Sequence, residues 1–155
     1  MRKLTMMSLM MILIFLSSVP VVAFTTSQHI STAILLDRYA ENDLQSFMIG
    51  FGSHAVIDWY VEDYKIDYND KGYIAFDGIL SAILLKQHWQ KHKRAIVGGI
   101  APDIIDAILV LQDEQRWNEG KHLFPFHRPH KQPIRLNRNE TVGLSVLLFS
   151  FNLKF

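Results

Sequence analysis

The chain contains no cysteine. Disulfides are therefore excluded, and thiolate metal sites with them. An excess of one charge is also missing: Lys and Arg total 16 against 15 Asp and Glu, for a net charge of +1. Net charge thus implies no nucleic-acid partner. Proline is sparse, 5 in all. Three of the five recur as Pro125, Pro129 and Pro133, which excludes regular helix in that stretch.

The longest apolar run lies at the amino terminus. Arg2 and Lys3 precede an apolar stretch from Leu4 to Val22, and Val21-Val22-Ala23 supplies the small residues of a cleavage site. This pattern predicts a secretory signal peptide over residues 1–23. The other reading is an N-terminal anchor, because a membrane helix needs roughly 20 apolar residues. Ser17-Ser18-Val19-Pro20 favours cleavage. Either way the body of the protein is expected outside the cytoplasm, whether secreted, periplasmic or membrane-associated. Residues 24–155 are then long enough for a single domain with one core.

Hydrophobic periodicity in that domain predicts a mainly α fold of about four helices. The first runs from Ser27 to Tyr39, with Ile30, Ala33, Ile34 and Leu36 inward and Ser27 or Thr26 as its cap. A second, from Asp43 to Tyr60, carries the apolar stripe Leu44, Met48, Phe51, Ala55 and Trp59, interrupted by Gly50 and Gly52. Such glycines mark places where another backbone comes close. Glu62 to Gly72 reads as a loop. A third helix spans Ile74 to Lys93, Gly98-Gly99 breaks the pattern, and Pro102 opens a fourth that runs to Trp117. From Lys121 to Arg138 the chain is basic, rich in proline and histidine, and irregular. Past Gly143, apolar residues alternate at Leu147, Phe149, Phe151, Leu153 and Phe155, which suggests a C-terminal strand. Val142 to Phe149 also fits a buried helix or the start of a membrane helix. An apolar strand there would offer an edge to a second chain, so oligomeric state is left open.

What the chain does have is histidine close to aspartate. Seven histidines are present, and His54-x3-Asp58 and Asp103-x2-Asp106 each place two side chains on one helical face. Imidazole and carboxylate together suit Zn²⁺ and related divalent ions. Asp103, in the first turn after Pro102, would meet free amide groups that keep it ionised. His127-Arg128-Pro129-His130 lies in the stiffened loop, where Arg128 would clamp a phosphate oxygen through two hydrogen bonds. His88-x3-His92 sits in a basic run, Lys86 to Arg94, which opposes a cation. His29 opens the first helix as a further ligand. The candidate metal ligands are thus His29, His54, Asp58, Asp103, His127 and His130, with Asp106 as a general base or ligand-orienting group and Arg128 as the oxyanion partner.

Gly98-Gly99-Ile100-Ala101-Pro102-Asp103-Ile104-Ile105-Asp106 resembles the Gly-x-x-x-Pro-Asp-x-Asp element of membrane-associated metal-dependent hydrolases, with the second aspartate one position later. Gln28-His29 approximates that family's Thr-His opening. His127-Arg128 resembles its His-Arg element, although Pro129-His130-Lys131 stands where Thr-His-Ser is usual. His54-x3-Asp58 is similar to the helical ligands of zinc-dependent phospholipase C. The resemblance is scattered between Gln28 and His130. It implies a helical fold, a divalent metal, zinc first, and hydrolysis of a phosphoester or other small substrate, with membrane association. The competing expectation is a non-catalytic helical envelope protein whose His and Asp residues are structural. That alternative expects His54, Asp103 and His127 to lie far apart.

Overall fold

A computed structural model of the chain describes residues 26–62, 70–112, 123–124, 127 and 134–153. They form a small, mainly α domain of four helices: α1 Thr26–Asp37, α2 Asp43–Tyr60, α3 Lys71–Gln112 and α4 Arg138–Leu153. Two short parallel segments, β1 Val61–Glu62 and β2 Ile134–Arg135, pair Val61 with Ile134 and Glu62 with Arg135. Helix α1 packs on α2, α3 and α4, and α2 packs on α3. None of the described helices is long and apolar enough to cross a membrane. Residues 1–23, expected to be a signal peptide or anchor, lie outside the described residues.

Side-chain caps begin three of the helices. Asn42 Oδ1 accepts from Gln45 N at 3.0 Å, Asp70 Oδ1 from Tyr73 N at 3.0 Å, and Asn137 Oδ1 from Asn139 N at 3.0 Å. At α4 the cap is reciprocal, since Asn137 N donates to Glu140 Oε2 at 2.8 Å. Helix α1 is capped from another element. Asp77 of α3 accepts from Thr26 N at 3.1 Å, Ser27 N at 3.1 Å and Ser27 Oγ at 2.5 Å. The carboxylate so placed satisfies free amides and suits the positive helix end.

The core is apolar on α1 and α3. Ile30, Ile34, Leu84, Leu85, Ile96 and Ile100 form one buried cluster, with Trp89, Ile104 and Phe149 packed against it. Burying each such side chain contributes about 1.5–3 kcal/mol. Elsewhere the buried faces are polar, contrary to the expected stripes. In α2 the inward residues are Ser46, Gly50, Ser53 and His54, while Leu44, Met48 and Trp59 are exposed. Leu36 of α1 is also at the surface.

Two expected elements differ. The carboxyl-terminal stretch is helix α4, not a strand: Thr141, Ser145 and Asn152 face inward at helical spacing. Gln28 Nε2 donates to Thr141 O at 3.3 Å and Ser145 Oγ at 3.1 Å, and Asn152 Nδ2 donates to Ser31 O at 3.2 Å. Those bonds select the helical period over the alternating one. In turn, Gly98-Gly99 does not end a helix, and α3 continues through it and through Pro102. Its irregular point is His92, with φ −116° and ψ 20°. The glycines serve packing instead. A Cβ on Gly98 would stand 2.1 Å from Phe47 O, and one on Gly50 would stand 2.0 Å from Ala95 O. The backbones of α2 and α3 therefore touch, and the contact offsets the roughly 1 kcal/mol that each helical glycine costs.

Candidate metal centre

The α2–α3 crossing sets the site. One turn past Gly50, His54 is fully buried and its Nδ1 lies 2.7 Å from Gly99 O. A carbonyl only accepts, so Nδ1 donates to it and Nε2 is turned toward the carboxylates. Asp58, one turn further, places Oδ2 3.0 Å from that Nε2. Across the crossing, Asp103 brings Oδ1 to 3.4 Å from His54 Nε2.

His127 completes the group from outside the helices. It sits in a turn closed by His127 N donating to Phe124 O at 3.1 Å. The ring of Phe124 meets both His127 and Phe51 edge-on. Asp106 Oδ2 forms a short hydrogen bond with His127 Nδ1, and its Oδ1 accepts from Leu123 N at 3.3 Å. With Nδ1–H given to Asp106, Nε2 of His127 faces the cluster. It lies 2.9 Å from His54 Nε2, 2.8 Å from Asp58 Oδ2 and 3.5 Å from Asp103 Oδ1.

Four ligand atoms, two nitrogens and two oxygens, thus converge within 4.8 Å of one another. A tetrahedral ion with bonds of about 2.1 Å spaces its ligand atoms about 3.4 Å apart. The five edges that involve a histidine, 2.8 to 3.5 Å, bracket that spacing. The two Nε2 atoms lie 2.9 Å apart, and each is within 3.0 Å of Asp58 Oδ2, an arrangement held together by protons or by a cation. His54, Asp58, Asp103 and His127 can therefore hold a metal ion. Each histidine has a fixed outer partner, Gly99 O or the Asp106 carboxylate, as metal-bound imidazoles generally do.

The electrostatics of the ion-free site agree. Burial lowers the proton affinity of His127, but the hydrogen bonds it donates to Asp106 and Asp58 and the charge of Asp103 override it and push its pKa up to about 10. His54 is also raised, since Asp103 and Asp58 outweigh its burial. Asp103 is pushed up to about 7, first by burial and further by the charges of Asp58 and Asp106. Asp58 goes the other way, held well below the usual carboxylate range by His29, His127 and His54 against its burial. Protons fill the place of a cation.

These observations revise parts of the sequence reading. Asp103 is not at a helix start with free amides, because α3 runs on in front of it, and its carboxyl is raised where amides would have lowered it. With both oxygens engaged, Asp106 stands behind His127 as an orienting group. His29 lies beside the four and not among them: its ring stacks on His54 at 4.0 Å between centroids, and its Nε2 is 3.4 Å from Asp58 Oδ1. Burial and the neighbouring His54 lower its pKa to about 3. His92 is held 2.7 Å from Asp37 Oδ2 and is not among the four. Arg128 and His130 lie outside the described residues.

Sequence reasoning missed two contributors, Gly99 through its carbonyl and Asp77 through the cap that begins the helix of His29. A backbone acceptor has no residue signature. No protein-family model, curated protein or solved structure matches the chain.

Proposed function

We propose that the protein is a metal-dependent hydrolase acting on a phosphoester or a related small substrate. One observation carries the reading: ligand atoms of His54, Asp58, Asp103 and His127, brought from two helices and a distant turn, lie within 4.8 Å of one another. The non-catalytic envelope reading expects these residues far apart, and their convergence counts against it.

His54, Asp58, Asp103 and His127 would hold the ion, and zinc suits two imidazoles with two carboxylates. A divalent ion, when bound, lowers the pKa of a water molecule enough to supply hydroxide near neutral pH. Asp106 keeps His127 in the tautomer that presents Nε2, and Gly99 O does the same for His54. The two carboxylates are the more open members, 19% exposed for Asp58 and 12% for Asp103 against 0% for His54. Substrate would arrive from their side. Arg128, two residues beyond Phe126, is the proposed partner for charge developing on a phosphate oxygen. The apolar segment before Ala23 supports an extracytoplasmic location for this chemistry.

The test is metal content of the purified chain, followed by a phosphoester screen, with His54→Ala and Asp103→Ala alongside. Near-stoichiometric zinc that both variants lose, with hydrolysis lost in parallel, is the expected result. A folded chain that binds no divalent ion ends the reading.

A further inference from the structure

Helix α2 has two faces of opposite character. Ser46, Gly50, Ser53 and His54 are buried against the rest of the fold. Leu44, Met48, Val56 and Tyr60, with Trp59 beside them, are exposed by 70%, 55%, 58%, 51% and 46%. Spaced four apart, with Gly52 in the middle, they make one ridge along the helix. Single exposed apolar side chains need no explanation, but a contiguous row marks a contact surface. A surface helix normally turns such a stripe toward the core, and here the core lies on the other side. We propose that the outward stripe of α2 is the interface of a two-fold dimer, covered by the same stripe of a second copy of this chain.

The area suffices. Taking about 200 Å² for a fully open side chain, within the range of aromatic residues, the five half-exposed side chains present roughly 500–600 Å². Two copies face to face would bury about 1,000–1,200 Å² in all, which reaches the size of a specific interface. The ridge also matches itself. Its spacing is symmetric about Gly52, where an added Cβ meets nothing within 4 Å. With a two-fold axis at that hollow, Met48 of one copy meets Val56 of the other, and Leu44 meets Tyr60. Ridges spaced by four residues interlock with their like at about −50°, the commonest helix crossing.

Charge separates this occupant from a lipid surface. No Asp, Glu, Lys or Arg occurs from residue 44 to residue 57, so pairing two stripes buries no ion. A helix that lies on a membrane sets Lys and Arg against the headgroups, and α2 contains neither. Nor is α2 long and apolar enough to cross a bilayer.

The experiment measures the mass of the full chain by sedimentation equilibrium, beside the double variant Met48→Lys/Val56→Lys. The expected result is twice the 17.9 kDa of one chain, falling to a single mass in the variant while its helical circular dichroism is kept. An unaltered chain that stays monomeric overturns the proposal, and so does a folded variant that remains dimeric. A monomer that sediments with phosphatidylcholine vesicles, and is released by the two lysines, gives the stripe to lipid and overturns it likewise. A second measurement covers a variant that fails to fold. Because the chain has no cysteine, Gly52→Cys puts a single thiol at the proposed axis, and Ile79→Cys puts one at a 60% exposed position on α3. Air oxidation should cross-link the first into dimers and leave the second monomeric. No cross-link at the first, or equal cross-linking of both, overturns the interface. None of the four clustered residues is altered, so every outcome leaves the hydrolase reading where it stands.

Discussion

Gly50 and Gly52 are one residue apart in α2 and differ completely in what a side chain would meet. A Cβ at Gly52 has nothing within 4 Å, whereas one at Gly50 meets Ala95 O at 2.0 Å. Gly52→Ala should therefore stabilise the fold by about 0.5–1 kcal/mol, through lower unfolded-chain entropy. Gly50→Ala should destabilise it by about 3 kcal/mol, because two helix backbones must part. Urea titrations of both variants measure this directly, and equal effects would refute the close crossing. At Asp106 the expectation concerns the ion. Asp106→Asn removes the charge behind His127 and should weaken zinc binding about 10- to 100-fold, read by calorimetric titration. Unchanged affinity would make Asp106 a bystander. The four clustered side chains were legible in sequence as residues able to hold an ion, because imidazole and carboxylate at helical spacing carry their chemistry in the residue name. Gly99 was not, since what it contributes is a carbonyl that every residue has.

Helix α1 depends on a carboxylate fifty residues away in the chain, as Asp77 accepts from Ser27 N. Asp77→Ala should cost about 2–3 kcal/mol, since it strips a cap and leaves buried donors unpaired. Asp77→Ser, with one acceptor too short to reach both amides, should recover little. Thermal melts together with amide exchange at the first turn of α1 test this, and a uniform loss of protection across all four helices would argue against a local cap. The helices were legible where periodic apolar residues coincide with a core, as with Ile30, Ala33 and Ile34 in α1. Helix α4 was misread because its inward face is Thr141, Ser145 and Asn152 while Leu147 and Phe151 are exposed. An apolar-face rule looks for the opposite arrangement. Its start was nonetheless written in Asn137-Arg138-Asn139-Glu140, a reciprocal cap that outranks alternation in the residues after it. The break assigned to Gly98-Gly99 failed for a related reason: glycine there permits contact between helices, and a contact partner is invisible to local propensity.

For the molecule as a whole, the ion-free site makes stability depend on pH with a definite sign. Asp103, raised to about 7, keeps a proton in the folded chain that an unfolded chain releases above about 4. That contribution is lost as pH rises through about 7. His127, raised to about 10, contributes fully below about 6.5 and loses its contribution as pH rises through about 10. His29, lowered to about 3, contributes fully above about 6.5, so it adds no slope beyond neutrality. The metal-free protein should therefore melt at lower temperature at pH 9 than at pH 7. An ion must displace the same protons, so its affinity rises over that interval, and the gap between zinc-loaded and metal-free melting temperatures should widen. A gap that narrows with pH would contradict the assignment. The contact between His54 and His127 closes 73 residues of chain. Loops of that size form late on the route to the native state, because their entropy is repaid only after the nearer contacts exist. The transition state for folding should then lack the assembled centre. Zinc is expected to leave the refolding rate almost unchanged and to slow unfolding instead, so that the ion acts as a lock fastened after the door has closed.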